Sequence, residues 1–154
     1  MIPISTADHD GMRLALAQAG LARDAGEVPV GAVVLRGGVV VGAAHNETVD
    51  LGHPTAHAEF LAIHRALAEL ATDRLTDATL YVTLEPCAQC AGAIVLAKVR
   101  RVVFGAWDDK AGMAGSIHDL LRNPRLNHQA EVVSGVLAEE SGALLREFFA
   151  ARRV

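Results

Sequence analysis

Two short segments of this chain contain the side-chain types needed to bind a metal ion and to move protons. They are His-Ala-Glu at 57–59 and Pro-Cys-Ala-Gln-Cys at 86–90. One imidazole and two thiolates suit zinc, and three ligands rather than four leave a coordination position open for water. The remaining carboxylate can transfer protons. The predicted zinc ligands are His57, Cys87 and Cys90, with Glu59 as the proton shuttle and one Zn²⁺ per subunit.

A second interpretation of the two cysteines is a redox dithiol or a pair of buried thiols. These are the only cysteines in the chain, and both lie in the same Cys-x-x-Cys segment. That interpretation leaves His57 and Glu59 without a role. Thiols that bind a metal must stay reduced, which favours a cytosolic setting.

The position of Glu59 is not determined by its spacing from His57. Residues two apart on a regular helix point in roughly opposite directions. The two side chains can therefore share one site only if the helix begins close to His57, so that its first turn is irregular. The alternative is that Glu59 is a first-turn carboxylate favoured by the helix dipole.

Length and composition predict one domain, 1–154, with a substantial core. The chain has 154 residues, of which 51% are hydrophobic. It contains no apolar window of about 18 residues and no basic flank followed by an apolar run, so we expect a soluble cytoplasmic protein without a membrane span or secretory signal. The formal net charge of −4 argues mildly against general nucleic-acid binding, although basic residues cluster locally.

The order of the predicted elements indicates an α/β fold. Glycines at 37 and 38 separate two β-branched runs and predict a hairpin. Strands and helices then alternate, which predicts crossover connections, parallel pairing and a mixed sheet with helices on both faces. The predicted strands are 30–35, 39–43, 79–83, 101–104 and 131–134. The predicted helices are 10–26 capped by Asp10, 55–71 capped by Thr55, 86–98 beginning at Pro86, and 137–150, with a short helical turn at 119–121.

Several segments resemble one family over nearly the whole chain. His-x-Glu followed by Pro-Cys-x-x-Cys is the established signature of zinc-dependent nucleobase deaminases. Beyond it, the chain is similar to bacterial tRNA-specific adenosine deaminases, within the cytidine-deaminase-like superfamily. The resembling segments are 27–32, 54–59, 77–87, 101–106, 115–116, 127–128 and 144–149.

The resemblance implies a three-layer α/β/α cytidine-deaminase-like fold with a five-stranded mixed sheet, and a homodimer. It also implies hydrolysis of adenosine to inosine at the wobble position of a tRNA anticodon stem-loop. The zinc ligands and the shuttle correspond to the four residues predicted above. The family's base-holding asparagine corresponds to Asn46. Its anticodon-loop contacts correspond to Asp108, Lys110, Phe149 and Arg153.

Alternatives remain for these positions and for the substrate. Asn46 and Asp108 also fit plain turn residues, and Phe149 fits a core residue. The chain departs from the family at His45, where we expect an aromatic residue, and at Trp107, where a basic residue is common. Fewer cations near the RNA would weaken binding and its salt dependence, and Trp107 could replace charge by stacking. The competing functions are a small-molecule deaminase acting on guanine or cytosine and a non-catalytic zinc-binding scaffold.

Overall fold

In a computed structural model that describes residues 2–152, the chain forms four helices and five strands. After α1 and the hairpin, helices and strands alternate as far as β4, as the sequence predicts, whereas β5 follows β4 without the predicted helical turn. The elements are α1 (Thr6–Asp24), β1 (Gly31–Arg36), β2 (Val39–His45), α2 (Ala58–Leu70), β3 (Ala78–Leu84), α3 (Ala88–Leu96), β4 (Arg101–Ala106), β5 (Glu131–Val133) and α4 (Ala138–Ala150).

The strands form one mixed sheet in the order β2-β1-β3-β4-β5. β1 is antiparallel to both β2 and β3, whereas β3–β4 and β4–β5 are parallel. Gly37 and Gly38 form the predicted two-residue turn, with φ of 57° and 77°. This turn type needs positive φ at both central residues, which glycine adopts without steric cost. The parallel strands bring the loops after β3 and β4 to the same edge of the sheet, where the site lies.

Alternating strand residues divide the core into two layers. Val33, Tyr81 and Val103 form one cluster with Met12 and Ala15 of α1. Their strand neighbours point to the opposite face and form a larger cluster with the buried residues of α2 and α3. α4 packs on β4 and α1. The predicted three-layer α/β/α fold with a five-stranded mixed sheet is therefore confirmed.

The first helix begins earlier than predicted and is capped by Ser5, not by Asp10. The Ser5 side chain accepts a hydrogen bond from the backbone N–H of Asp8, and the Asp8 carboxylate accepts one from the backbone N–H of Ser5. This reciprocal pair satisfies two N–H groups at the helix start. The Asp8 carboxylate also accepts hydrogen bonds from both terminal guanidinium nitrogens of Arg101 in β4, which ties α1 to the sheet.

Three other local predictions differ from the structure. The helical turn expected at 119–121 is absent, and the described chain there forms turns with a single bridge between Ala114 and Asp119. The N-cap position of α2 is His57 instead of Thr55, and α3 begins at Ala88 instead of Pro86. Within residues 2–152, no helix combines the length and apolar character needed to cross a lipid bilayer.

Candidate active site

The three predicted metal ligands lie together between the beginnings of α2 and α3. His57 is the N-cap residue of α2 and Cys87 is the N-cap residue of α3, while Cys90 lies one turn into α3. The Nδ1 atom of His57 lies 3.4 Å from Sγ of Cys87 and 3.5 Å from Sγ of Cys90. Two helix N-termini, with their partial positive charge, thus face one cluster of donors, which favours thiolate over thiol.

This donor set fits zinc. The three donor atoms all lie within 4.8 Å of one another. A thiolate and an imidazole nitrogen bound to one tetrahedral zinc ion lie about 3.5 Å apart, and the two sulfur–nitrogen distances match that value. Gln89 supports the cluster from outside, because its side-chain amide donates to the backbone carbonyl of Thr55 at 2.9 Å and links the start of α3 to the segment before α2.

The pKa values of the two thiols are shifted in opposite directions. A hydrogen bond from the Cys90 thiol, and to a smaller extent one with the His57 imidazole, lowers the pKa of Cys87 to about 4. The hydrogen bond with Cys87, together with burial, raises the pKa of the Cys90 thiol. The hydrogen bond with Cys87 raises the pKa of the His57 imidazole. A low-pKa thiolate beside an imidazole is the microenvironment expected of a metal ligand.

Glu59 shares the site because α2 begins at Ala58. His57 has extended backbone angles, φ −79° and ψ 153°, so the regular helical rotation starts only after it. The Glu59 carboxyl is almost fully buried and lines the same cavity as His57 and Cys87. Burial raises the pKa of Glu59 to about 7. A carboxyl group with a pKa near neutral can both accept and donate a proton at working pH.

Asn46 connects the end of β2 to the beginning of α2. Its side-chain oxygen accepts a hydrogen bond from the backbone N–H of Ala58 at 2.8 Å, so it performs the capping that His57 does not. This bond uses the amide oxygen and leaves the amide NH₂ as the donor available to a ligand. Asn46 also lines the cavity. His45, in contrast, bonds through Nδ1 to the backbone oxygen of Asn46 at 2.9 Å.

The cavity has a volume of about 610 Å³, and its lining includes Glu59, His57 and Cys87. Its rim is formed by the segment after β4, residues 107–117, and by the last turns of α4. Trp107 and Phe149 are 48% and 47% exposed on this rim, and Lys110 is also exposed. Arg153, the other proposed RNA contact, lies outside the described residues.

One of the two carboxylate oxygens of Asp108 accepts hydrogen bonds from the backbone of its own loop. Its Oδ1 atom accepts hydrogen bonds from the backbone N–H groups of Lys110 and Ala111, at 3.1 and 3.2 Å. This is the turn geometry that short acidic side chains commonly form. The second carboxylate oxygen remains available at the cavity, which Asp108 lines.

Sequence reasoning missed two buried carboxylates that hold the loops around the cavity. Glu85 accepts hydrogen bonds from the backbone N–H groups of Asp108, Ala114 and Ser116, at 2.9 to 3.0 Å, and from the Ser116 hydroxyl. Burial alone would raise the pKa of Glu85, but these donors outweigh it and hold the pKa below its ordinary value. Its position directly before the Pro-Cys segment is the only hint in the sequence.

Glu27 performs the equivalent task for the loop after β2. It accepts hydrogen bonds from the backbone N–H groups of Val49 and Asp50, at 3.0 and 2.7 Å, and from the Thr48 hydroxyl at 3.4 Å. Both glutamates are almost fully buried. Among residues 2–152, no buried side-chain polar atom lacks a hydrogen-bond partner.

Comparison with known proteins assigns this arrangement to a family. The model of the MafB19-like deaminase family matches residues 6–153. The tRNA-specific adenosine deaminase of Bacillus subtilis is 51% identical over 144 residues, which cover 94% of this chain and 89% of that protein. The chain belongs to the tRNA-specific adenosine deaminase family. The family resemblance predicted from sequence, and with it the assignment as a deaminase enzyme, are confirmed.

Two solved structures show how this family relates to other deaminases. A tRNA:A34 deaminase, studied for A-to-I editing at the wobble position of transfer RNA, is 42% identical and superposes with a TM-score of 0.85, covering 88% of this chain and 99% of that chain. A guanine deaminase from Nitrosomonas europaea is 25% identical with a TM-score of 0.76, covering 97% and 87%. The fold is thus shared with a guanine deaminase, so the fold alone does not determine the substrate.

Proposed function

We propose that this protein hydrolyses adenosine to inosine at the wobble position of a tRNA anticodon loop. The observation that carries the proposal is the buried carboxyl of Glu59, with a pKa of about 7, beside three candidate metal ligands at the floor of an open cavity. The substrate is supported by relatives named tRNA-specific adenosine deaminases, with identities of 51% and 44% over at least 94% of this chain.

We propose that His57, Cys87 and Cys90 hold one Zn²⁺ per chain. Bound zinc makes a water molecule acidic enough to act as a nucleophile near neutral pH. The protein's own residues transfer the protons and orient the base. Glu59 receives the proton of the attacking water and delivers a proton to N1 of adenine. The C6–O bond forms in this step. Glu59 then takes the second water proton, from the hydroxyl now on C6, and delivers it to the departing amine, so that the C6–N6 bond breaks and ammonia leaves.

Asn46 orients the base and the rim binds the loop around it. The Asn46 oxygen is engaged with Ala58, which leaves its NH₂ group to donate to an acceptor of the nucleoside. Lys110 and Phe149, together with the free oxygen of Asp108, supply contacts to the flanking nucleotides, as does Arg153 by family resemblance. An anticodon loop suits such a site, because its bases are already partly unstacked and need less energy to be extruded.

The decisive experiment compares RNA with small substrates. The purified protein is incubated with an anticodon stem-loop carrying a wobble adenosine, and separately with adenosine, guanine, cytosine and cytidine. We expect inosine only in the stem-loop. Turnover of the free compounds alone would reject the proposal in favour of a small-molecule deaminase, and zinc binding without any turnover would indicate a zinc-binding scaffold.

The metal is tested separately by Cys87→Ala. We expect this variant to lose stoichiometric zinc and part of its thermal stability, since metal binding and folding are coupled. Metal analysis and melting curves with and without a chelator check both effects. Full zinc occupancy in Cys87→Ala would contradict the ligand assignment.

We also propose that two copies of the chain associate. The family resemblance supports a homodimer, and Leu96 at the end of α3, which is 80% exposed, offers an apolar contact to a second copy. Sedimentation equilibrium of the parent protein and of Leu96→Asp measures this. A monomeric parent at micromolar concentration would reject it.

A further inference from the structure

We propose that Trp107 is a stacking platform for a nucleobase adjacent to the target adenosine. This inference rests on the proposed function and deepens it by naming a contact that sets RNA affinity. Trp107 is the only tryptophan of the chain. Its ring is 48% exposed at the rim of the cavity that contains Glu59 and His57.

The ring is held from behind. Phe104, fully buried in β4, contacts Trp107 edge-on, with ring centroids 4.8 Å apart and planes at 86°. Gly115 lies against another part of the indole: a Cβ built at this glycine would lie 3.2 Å from Cζ3 of Trp107. Gly115 also has a φ of 136°, which side chains rarely adopt. The indole thus has fixed neighbours on its inner side and solvent on its outer side.

The backbone that carries the ring is held as well. The backbone N–H of the next residue, Asp108, donates to the buried carboxylate of Glu85 at 3.0 Å, and the N–H of Gly112 donates to the Asp108 carbonyl at 2.8 Å. A ring that is already ordered loses little conformational freedom when a ligand stacks on it. The cost of leaving so much aromatic surface in water is then recovered on binding.

The position and the charges of the rim favour a nucleobase as the partner. A nucleotide inserted towards Glu59 has neighbours in the RNA that must pass the rim, where Trp107 and Phe149 are exposed. Proteins commonly hold such unstacked bases on aromatic side chains. Along the chain Trp107 is followed by Asp108, Asp109 and Lys110, and the Arg122 guanidinium lies near Gly115, in a chain of net charge −4. Stacking needs no ionic contact, so it suits a rim that combines acidic and basic side chains.

Fluorescence of this single tryptophan tests the contact directly. The zinc-loaded protein is titrated with an anticodon stem-loop that carries inosine at the wobble position, so that no turnover occurs. We expect the indole emission to be quenched with a midpoint equal to the Kd from an independent binding measurement. The control is the double variant Trp107→Phe with Val39→Trp, which moves the tryptophan to the far end of β2, about 20 Å from Asn46. Its emission should not change on binding.

Substitutions then measure the contribution to affinity. Trp107→Ala should weaken stem-loop binding by about 5- to 100-fold, while Trp107→Phe stays within a few-fold of the parent, because a phenyl ring still stacks. The loss should appear in the Kd and in the KM for the stem-loop. Trp107→Arg should recover affinity at low salt and lose it more steeply as salt rises, since it adds one phosphate-neutralising charge. A ring that merely covers Phe104 would alter the melting temperature and leave Kd unchanged.

The outcomes separate this inference from the proposed function. If the parent deaminates the wobble stem-loop but its emission and the Kd of Trp107→Ala are unaffected, Trp107 has no such role and the proposed function stands. If the parent neither binds nor deaminates the stem-loop, the proposed function fails and this inference fails with it. Quenching together with selective loss of affinity supports both.

Discussion

The floor and the rim of the cavity are built in different ways. The floor consists of His57, Cys87 and Glu59, with Cys90 beside them, all at the first residues of two helices. Glu59 and Cys90 are buried, and His57 and Cys87 are partly exposed. The rim consists of the 107–117 segment and the end of α4, where Trp107, Lys110 and Phe149 are exposed. The floor is assembled at the ends of regular helices, whereas the 107–117 part of the rim is irregular chain held by the buried carboxylate of Glu85.

This difference separates chemistry from substrate selection. A floor made of helix N-termini keeps the same donors in place whatever the substrate, which agrees with the superposition on both a tRNA:A34 deaminase and a guanine deaminase. Binding residues on loops can vary without disturbing such a scaffold. Substitutions in the floor should therefore abolish turnover, and those in the rim should change RNA affinity first.

The largest effect is expected for Glu59→Gln. The amide cannot carry protons between water and the base, so kcat should fall by about 10²- to 10⁴-fold. Zinc content should remain stoichiometric, because the three ligands are unchanged. Single-turnover assays with the stem-loop and metal analysis provide the measurements. Near-normal turnover in this variant would exclude Glu59 as the shuttle.

Glu85→Gln tests the rim. An amide at this position cannot accept from three backbone N–H groups and a hydroxyl as the carboxylate does, so we expect a loss of about 3 kcal/mol in unfolding free energy. Because displaced rim residues misplace the substrate, kcat/KM for the stem-loop should fall by about 10- to 100-fold, mainly through KM. Zinc content should not change.

Two further variants control the Glu85 experiment. Glu27→Gln removes an equally buried carboxylate from the 48–50 segment, and we expect a similar loss of stability with a smaller rise in KM. Gly112→Ala places a Cβ into the Glu85 carboxyl and should reproduce the rise in KM. Equal KM values for Glu27→Gln and Glu85→Gln would show that the rise reflects general destabilisation.

The Asp8–Arg101 ion pair lies outside both the floor and the rim, and its effect on stability can be measured at acid pH. Burial tends to raise the pKa of Asp8, but the hydrogen bond and charge of Arg101 lower it from 3.8 to about 2. A depressed carboxyl pKa stabilises the fold above the unfolded value, and this contribution disappears as pH falls through the folded value. It amounts to about 2 kcal/mol.

Urea unfolding of the parent protein and of Asp8→Asn from pH 5 to pH 2 measures this contribution. The stability advantage of the parent should shrink by about 2 kcal/mol over that interval. The substitution leaves His57, Cys87 and Cys90 unchanged, so any metal release in acid is expected to be common to both proteins and to cancel in the difference. A constant difference would show that the Asp8–Arg101 pair does not set acid stability.

The smallest effect is expected for Gly92→Ala in α3. A Cβ at this position meets no atom within 4 Å, and alanine lowers the conformational entropy of the unfolded chain. The variant should gain about 0.5–1 kcal/mol in unfolding free energy with unchanged kcat and KM. A loss of activity would show that the floor is sensitive to the outer surface of α3.

Much of the fold could be predicted because its patterns are local. The Gly37–Gly38 turn, the β-branched runs and the alternation of elements predict the mixed sheet that the structure contains. The errors are also local. Ser5 and not Asp10 caps α1, because the side chains of Ser5 and Asp8 each accept a hydrogen bond from the other's backbone N–H. The 119–121 segment does not form a helical turn, because Asp119 pairs with Ala114 of the rim. The carboxylate anchors Glu85 and Glu27 depend on partners more than 20 residues away, which no local pattern reveals.

The sequence by itself determined the donor set and the class of reaction, because one imidazole, two closely spaced thiols and a spare carboxylate are chemically specific wherever they meet. The tertiary structure decided whether Glu59 meets the ligands. It does so because Asn46 caps α2 and leaves His57 in extended backbone, so the helical rotation begins one residue later. It also decided the shape of the rim, since only the parallel pairing of β3 and β4 brings Glu85 beside the loop that carries Trp107.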